Sequence, residues 1–235
     1  MQNSQIAFAV TTYYPKWYRG KLQSIKHTDK IRGDLALEFC KKATKLSYVV
    51  VCSDAKATKT FRNELKKIKG LIVSQRLEPK RSPAKRHAYK IATKIPGVKV
   101  IIGTEPEKVA LIDSANIIAK PLLENKADIV VMKRNDKLFK QSYPGYMYES
   151  EQEGNKLYNE FLELYKLMPK NSADLDMFFG PRAFRNEKKI LNLFMKKHDV
   201  KVGNVTLPKE YFDPEQLSNT SFFPIVEALK KQLRI

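Results

Sequence analysis

The chain has 235 residues, 44 Lys plus Arg against 25 Asp plus Glu, and a formal net charge of +19. Its 43% hydrophobic and 10% aromatic content is enough for a core, which excludes global disorder and favours one domain of ordinary size. Cys40 and Cys52 are too few for a disulfide framework or cysteine-rich zinc site, and three scattered histidines exclude an HExxH metalloenzyme.

In chain order, Gln5–Tyr13 reads as a buried strand and Lys16–His27 as an irregular basic loop. Thr28–Leu46 has Ile31, Leu35, Phe39 and Ala43 at helical spacing, with Thr28 as its N-cap. Ser47–Cys52 is a short apolar run of the kind found in covered parallel sheets. A basic helix follows at Lys59–Lys69 and a strand at Leu71–Ser74. The alternation continues with a helix at Ser82–Lys94, a strand at Val98–Gly103, helix at Val109–Asn125 with a break near Ser114, and a strand at Ala127–Met132. Five strands alternating with helices predict an α/β fold: a mostly parallel central sheet flanked by helices.

Beyond Lys133 the rhythm changes. A Tyr/Gly/Pro loop (QSYPGYMYE) leads to a helix at about Glu151–Met168, then to a loop carrying Asp174 and Asp176. A helix at about Arg185–Lys197, a strand at Lys201–Leu207 and a last helix near Pro224–Leu233 complete a C-terminal elaboration. No apolar run reaches the ~20 residues of a membrane helix, and no secretory signal is visible, so a soluble, cytoplasmic protein is expected.

The charge is uneven. Residues 16–94 hold 22 Lys/Arg and 6 Asp/Glu, a balance of +16, whereas residues 95–235 carry only +3. One half should therefore attract polyanions. Lysines outnumber arginines 34 to 10, which disfavours base reading, because bidentate base contacts use arginine.

Ligands of open α/β sheets sit at the carboxyl ends of the strands, and three segments there carry chemistry. In PKRSPAKRHAYK (79–90), Ser82 and Pro83 read as a helix start, with Arg81, Lys85 and Arg86 at its positive end. A phosphate would satisfy the amides and these cations together, and a solvated basic turn is the plain alternative. In TEPEK (104–108), Glu105 and Glu107 leave a strand end within one turn, suited to a divalent cation or merely to starting a helix. In ADLDMFFGPRAF (173–184), Asp174 and Asp176 stand beside aromatics, suited to a hydroxyl-rich ligand with Asp176 as base, or to a structural capping loop. Arg134, just after the strand at 127–132, joins the candidate binding residues. No G-x-G-x-x-G, P-loop or G-x-S-x-G motif occurs.

Together these segments resemble a GT-A type nucleotide-diphospho-sugar glycosyltransferase of the family-2-like kind. AVTTYY (9–14) is similar to the base pocket, VVVCSD (49–54) to the second strand, and RSPAKRHA (81–88) to the diphosphate-facing helix. VIIGTEPEK (100–108) stands where the family has D-x-D, ADIVVMKRN (127–135) resembles the next strand, and DMFFGPRAF resembles the acceptor loop. The resemblance implies a Rossmann-related GT-A domain over 1–235, with a nucleotide-sugar half (1–135) and an acceptor half (136–235). It implies binding by Thr11, Thr12, Tyr13, Asp54, Arg81, Lys85, Arg86, Arg134 and Asp174, and catalysis by Glu105 and Asp176. Mn2+ or Mg2+ would be held by Glu105 and Glu107, although E-P-E replaces D-x-D. The expected reaction passes a sugar to a hydroxyl acceptor: a glycan, a lipid or a small molecule. The alternatives are a nucleic-acid-binding α/β protein using residues 16–94 and a GT-A-fold nucleotidyltransferase. A basic face could also dock on an anionic membrane.

Overall fold

The computed structural model describes residues 2–55, 57–168, 172–202, 204–206, 208–210, 212–216 and 218–235. After a 3-10 turn at Gln2–Gln5, the first half alternates strand and helix: β1 (Ile6–Thr12), α1 (Thr28–Lys45), β2 (Val49–Asp54), α2 (Lys59–Lys66), β3 (Leu71–Gln75), α3 (Arg81–Ala92) and β4 (Val100–Thr104). A 3-10 segment at Val109–Ser114 passes into α4 (Ala115–Leu123), so the expected break at Ser114 is a change of helix type. Then come β5 (Ile129–Val131), α5 (Asp136–Ser142), α6 (Gly145–Leu164), β6 (Arg182–Arg185) and α7 (Lys188–Met195). The hairpin strands β7 (Lys201–Val202) and β8 (Val205–Thr206) precede α8 (Ser218–Ser221) and α9 (Phe223–Lys230).

Six strands form one sheet in the order β3-β2-β1-β4-β6-β5, flanked by helices. Strands β3, β2, β1 and β4 are mutually parallel, and β6 runs antiparallel between β4 and β5. The expected α/β fold is the one observed. Central β1 shows how the two faces are built. Ile6, Phe8 and Val10 point into one core with Phe39, Cys40, Phe61 and Ile112, while Ala7 and Ala9 face another with Tyr89, Ala92, Ile225 and Phe194. Phe8 packs edge-on against Phe39 and Tyr48 at 5.2 and 5.3 Å. The small alanines let α3 approach the opposite face closely. Gly103 in β4 serves the same approach, since a Cβ there would lie 2.2 Å from the Tyr89 hydroxyl.

Several expectations need correction. Thr28 is the first residue of α1, and His27 occupies the cap position without a side-chain bond. The QSYPGYMYE segment is largely helical, because Asn135 caps α5 through Leu138 N and Pro144 precedes α6, which begins six residues before the expected start at 151. Arg182–Arg185, assigned to a loop and helix start, is strand β6. The expected strand at 201–207 is the two-residue arms of a hairpin, with Gly203 and Leu207 outside the described residues.

The polypeptide's last residues lie along β5. The Arg234 carbonyl accepts from Asp128 N (2.8 Å) and Ile129 N (3.2 Å), and its side chain bonds the Asp128 carboxylate. Among the described residues no helix is long and apolar enough to cross a membrane.

Candidate functional site

A cavity of about 420 Å³ opens at the carboxyl ends of β1 and β4, within the size range of small-molecule sites. Thr11, Thr12, Tyr13 and Tyr14 leave β1 to form one wall, and Glu105, Glu107 and Lys108 leave β4 to form another. Arg32 enters from α1, Arg76 from just beyond β3, and Arg81 and Lys85 from the first turns of α3. Arg134, Tyr143, Glu151 and Phe178–Gly180 close the remaining side. The lining carries six cationic side chains (Arg32, Arg76, Arg81, Lys85, Lys108, Arg134) and three carboxylates (Glu105, Glu107, Glu151), so positive charge prevails.

Most of the lining charges are already paired. Glu105 lies between Lys85 (3.4 Å) and Lys108 (3.2 Å), and Glu107 accepts from Arg32 Nε at 2.7 Å and the Tyr14 hydroxyl at 2.9 Å. Burial pushes the Glu105 carboxyl up, but the two lysines outweigh it and hold the group at about 2. Burial, together with the neighbouring Arg182 and Lys108 charges, pulls the Lys85 ammonium down despite Glu105. Tyr14 is raised by burial and by Glu107, so its phenol stays protonated and donates. Arg134 spans Asp176, through Nε and Nη2 at 2.7 Å each, and Glu151, with its guanidinium 3.7 Å from the Phe139 ring centroid. Two cations differ. Among the described residues Arg76 and Arg81 make no ion pair: Arg76 is fixed by Ser53 Oγ (3.1 Å) and the Glu78 carbonyl, and Arg81 stands at the start of α3.

The start of α3 differs from the expectation in a way that matters for anions. Lys80 holds the cap position, and the Ser82 amide donates to the Glu215 carbonyl at 2.9 Å. Pro83 has no N–H, and the Ala84 amide already returns to Lys80. An anion here would therefore meet side chains, since the helix amides are largely committed. Arg86 turns from the cavity, pairs with Glu215 and has no part in the lining. Lys80 likewise pairs with Asp213 at 2.8 Å.

The expected acids separate into different roles. Asp54 is 1% exposed, accepts from Thr12 Oγ1 at 2.7 Å, and lies outside the lining. Burial raises its carboxyl pKa, although the Thr12 bond acts the other way. Asp176 is buried beneath Arg134 and also accepts from Asn155 Nδ2 (2.9 Å) and Phe179 N (3.1 Å). Burial raises that carboxyl, but these donors prevail and lower it. A carboxylate so fully engaged positions Arg134 and is a poor proton acceptor, which argues against the expected base. Asp174 is exposed and lines a neighbouring cavity of about 380 Å³ with Lys133, Asp136 and Lys156. Behind the site, Arg182 donates to the carbonyls of Met177, Phe179 and Pro181, tying down the loop, and burial lowers its guanidinium to about 10. Gly180 fits against Glu105, since a Cβ there would lie 2.7 Å from Oε1.

Glu105 and Glu107, the residues expected to hold a divalent ion, are both already engaged. Each is neutralised by its own cation, and among the described residues no cluster of three or more His, Cys, Asp or Glu is placed to hold a metal. Sequence reasoning passed over Arg76 because its strand was ended at Ser74, whereas β3 runs to Gln75 and Arg76 is the first residue beyond it. Arg32 and Glu151 sit inside helices, where strand-end reasoning does not look.

No known protein family matches the chain, and no curated protein matches it. Among solved structures it is similar to S. aureus TarS 1-349, at 14% sequence identity and a TM-score of 0.37, over 56% of this chain and 36% of that one. The chain thus spans about a third of the TarS structure.

Proposed function

We propose that the cavity binds a nucleoside-diphosphate sugar and that the chain transfers the sugar to a hydroxyl acceptor. The observation that carries this reading is the excess of cations at the carboxyl ends of parallel strands, with Arg76 and Arg81 unpaired among the described residues. A diphosphate is the ligand class that two such guanidiniums and the Lys85 ammonium bind best, through charge-assisted hydrogen bonds. Tyr13, 45% exposed on the cavity wall, offers a face for the base. Leaving-group charge would be stabilised by Arg76, Arg81, Lys85 and Lys108, in the place the family resemblance gives to a metal. The lining residues from Thr11 to Lys108 then supply the donor wall, and Arg134, Tyr143, Glu151 and the 178–180 turn supply the acceptor side.

Isothermal titration with uridine and guanosine diphosphates and their sugars, in EDTA and in Mn2+, tests this. Binding in EDTA is expected to match binding in Mn2+. Arg81→Ala, which breaks no ion pair among the described residues, should weaken it by ~1.5–3 kcal/mol, or about 10- to 150-fold. Absence of binding by every nucleoside diphosphate at millimolar concentration would sink the reading. Binding that requires Mn2+ would sink only its metal-free part.

A further inference from the structure

Residues 16–27 connect two residues of the cavity wall, Tyr14 and Arg32. The loop carries Lys16, Arg19, Lys21 and Lys26 and no acidic residue. Among the described residues, only Arg19 approaches a carboxylate, that of Glu64 at 4.0 Å. Between these cations stand two exposed apolar side chains: Leu22 is 46% exposed and Ile25 83%.

The exposure is fixed in place by the loop's own bonds. Trp17 is only 5% exposed, packs on Phe61 at 5.3 Å and donates from Nε1 to Asp34 at 3.0 Å. Gly33 is needed for that fit, because a Cβ there would lie 2.3 Å from Trp17 Cδ1. The Tyr18 hydroxyl accepts from Gln23 N at 3.0 Å and is bonded to His27 Nδ1 at 2.9 Å, closing the loop on itself. His27 N donates to the Ser24 carbonyl at 3.0 Å, so Ile25 sits at the tip of a bonded turn.

We propose that this loop docks the protein on an anionic membrane surface. Lipid headgroups would neutralise the four cations, and Leu22 and Ile25 would enter the interfacial layer, a combination of weak signals that together give reversible attachment. Charge complementarity alone would also suit RNA. Single-stranded RNA, however, gains its affinity from exposed aromatic faces, and here Trp17 is buried and Tyr18 packs against His27. Ile25 gives RNA nothing and a bilayer much. Such attachment would bring the cavity to the membrane surface, where an acceptor hydroxyl carried by a lipid would be at hand. That last step rests on the proposed transfer reaction, whereas the docking does not.

The test is sedimentation of the full chain with phosphatidylcholine vesicles, with and without phosphatidylglycerol. Binding is expected only where phosphatidylglycerol is present. Leu22→Ser with Ile25→Ser, and separately Lys21→Gln with Lys26→Gln, should each weaken it by about tenfold or more at unchanged melting temperature. Added salt should weaken the wild type more than the lysine variant. Equal binding to both vesicle types, or full binding by the Leu22/Ile25 variant, would overturn the proposal. So would single-stranded RNA that binds through Lys21 and Lys26 with no vesicle binding at all. Nucleoside-diphosphate titration of the wild type separates the two ideas: intact nucleotide affinity with no vesicle binding defeats docking alone, and vesicle binding without nucleotide affinity defeats the proposed transfer alone.

Discussion

Lys85 is 5% exposed at its side chain, and an ammonium so enclosed persists only beside a counter-charge. Glu105 supplies it, and Lys108 shares the same carboxylate. Removing one member of such a group costs far more than the group contributes as a whole, because the remaining charge is left without solvent. Glu105→Gln should therefore destabilise the protein at neutral pH by on the order of 3 kcal/mol, from the gap between about 2 and the ordinary 4.5. The sign follows from a folded value below the unfolded one. The contribution is complete above pH ~4.5 and is lost as pH falls through ~2. Urea melts of wild type and variant across that window should converge at the acid end, and parallel curves would show that Glu105 is not the group concerned.

At the scale of elements, α6 holds the 173–181 loop by an amide pair one turn apart. Asn155 Oδ1 accepts from Met177 N (2.8 Å) and Phe178 N (3.3 Å), and Asn159 exchanges bonds with both polar groups of the Leu175 backbone. Asn155→Ala would orphan those amides and remove a donor from Asp176, for a cost of ~1–3 kcal/mol, read as a lower midpoint in chemical denaturation. Asp176 in turn aims Arg134, so the variant should also lose nucleotide affinity, and a midpoint equal to wild type would show that the loop stands without the bridge. None of this was readable beforehand. Two asparagines in a helix leave no pattern, and β6 was missed because RAFR hides a buried arginine in what looks like a polar strand. Three of the four parallel strands, β1, β2 and β4, were legible for the opposite reason: buried on both faces, each opens on an apolar run.

Across the whole molecule, the position of the cavity followed from the alternation of strands and helices, and so did the gathering of Thr11–Tyr13, Arg81, Lys85, Glu105 and Glu107. Which cations are free did not follow, because their partners lie far along the chain. Arg86 meets Glu215 and Lys80 meets Asp213, each more than a hundred residues away. A charge count over 16–94 treats those residues as equal to Arg81, and only the fold tells them apart.

The bonds between Arg234 and the start of β5 have a consequence for solubility. β5 is the outermost strand on its side of the sheet, and its open flank offers unpaired amides to any neighbouring chain. The Arg234 carbonyl occupies the amides of Asp128 and Ile129, and its guanidinium places a charge over the same flank. The C-terminal segment thus acts as a guard against strand-to-strand aggregation. Arg234→Ala removes the guanidinium anchor on Asp128 and its charge over that flank, leaving the segment held by main-chain bonds alone. Light scattering during concentration should rise for the variant well before it does for the wild type, and identical profiles would place the protection elsewhere.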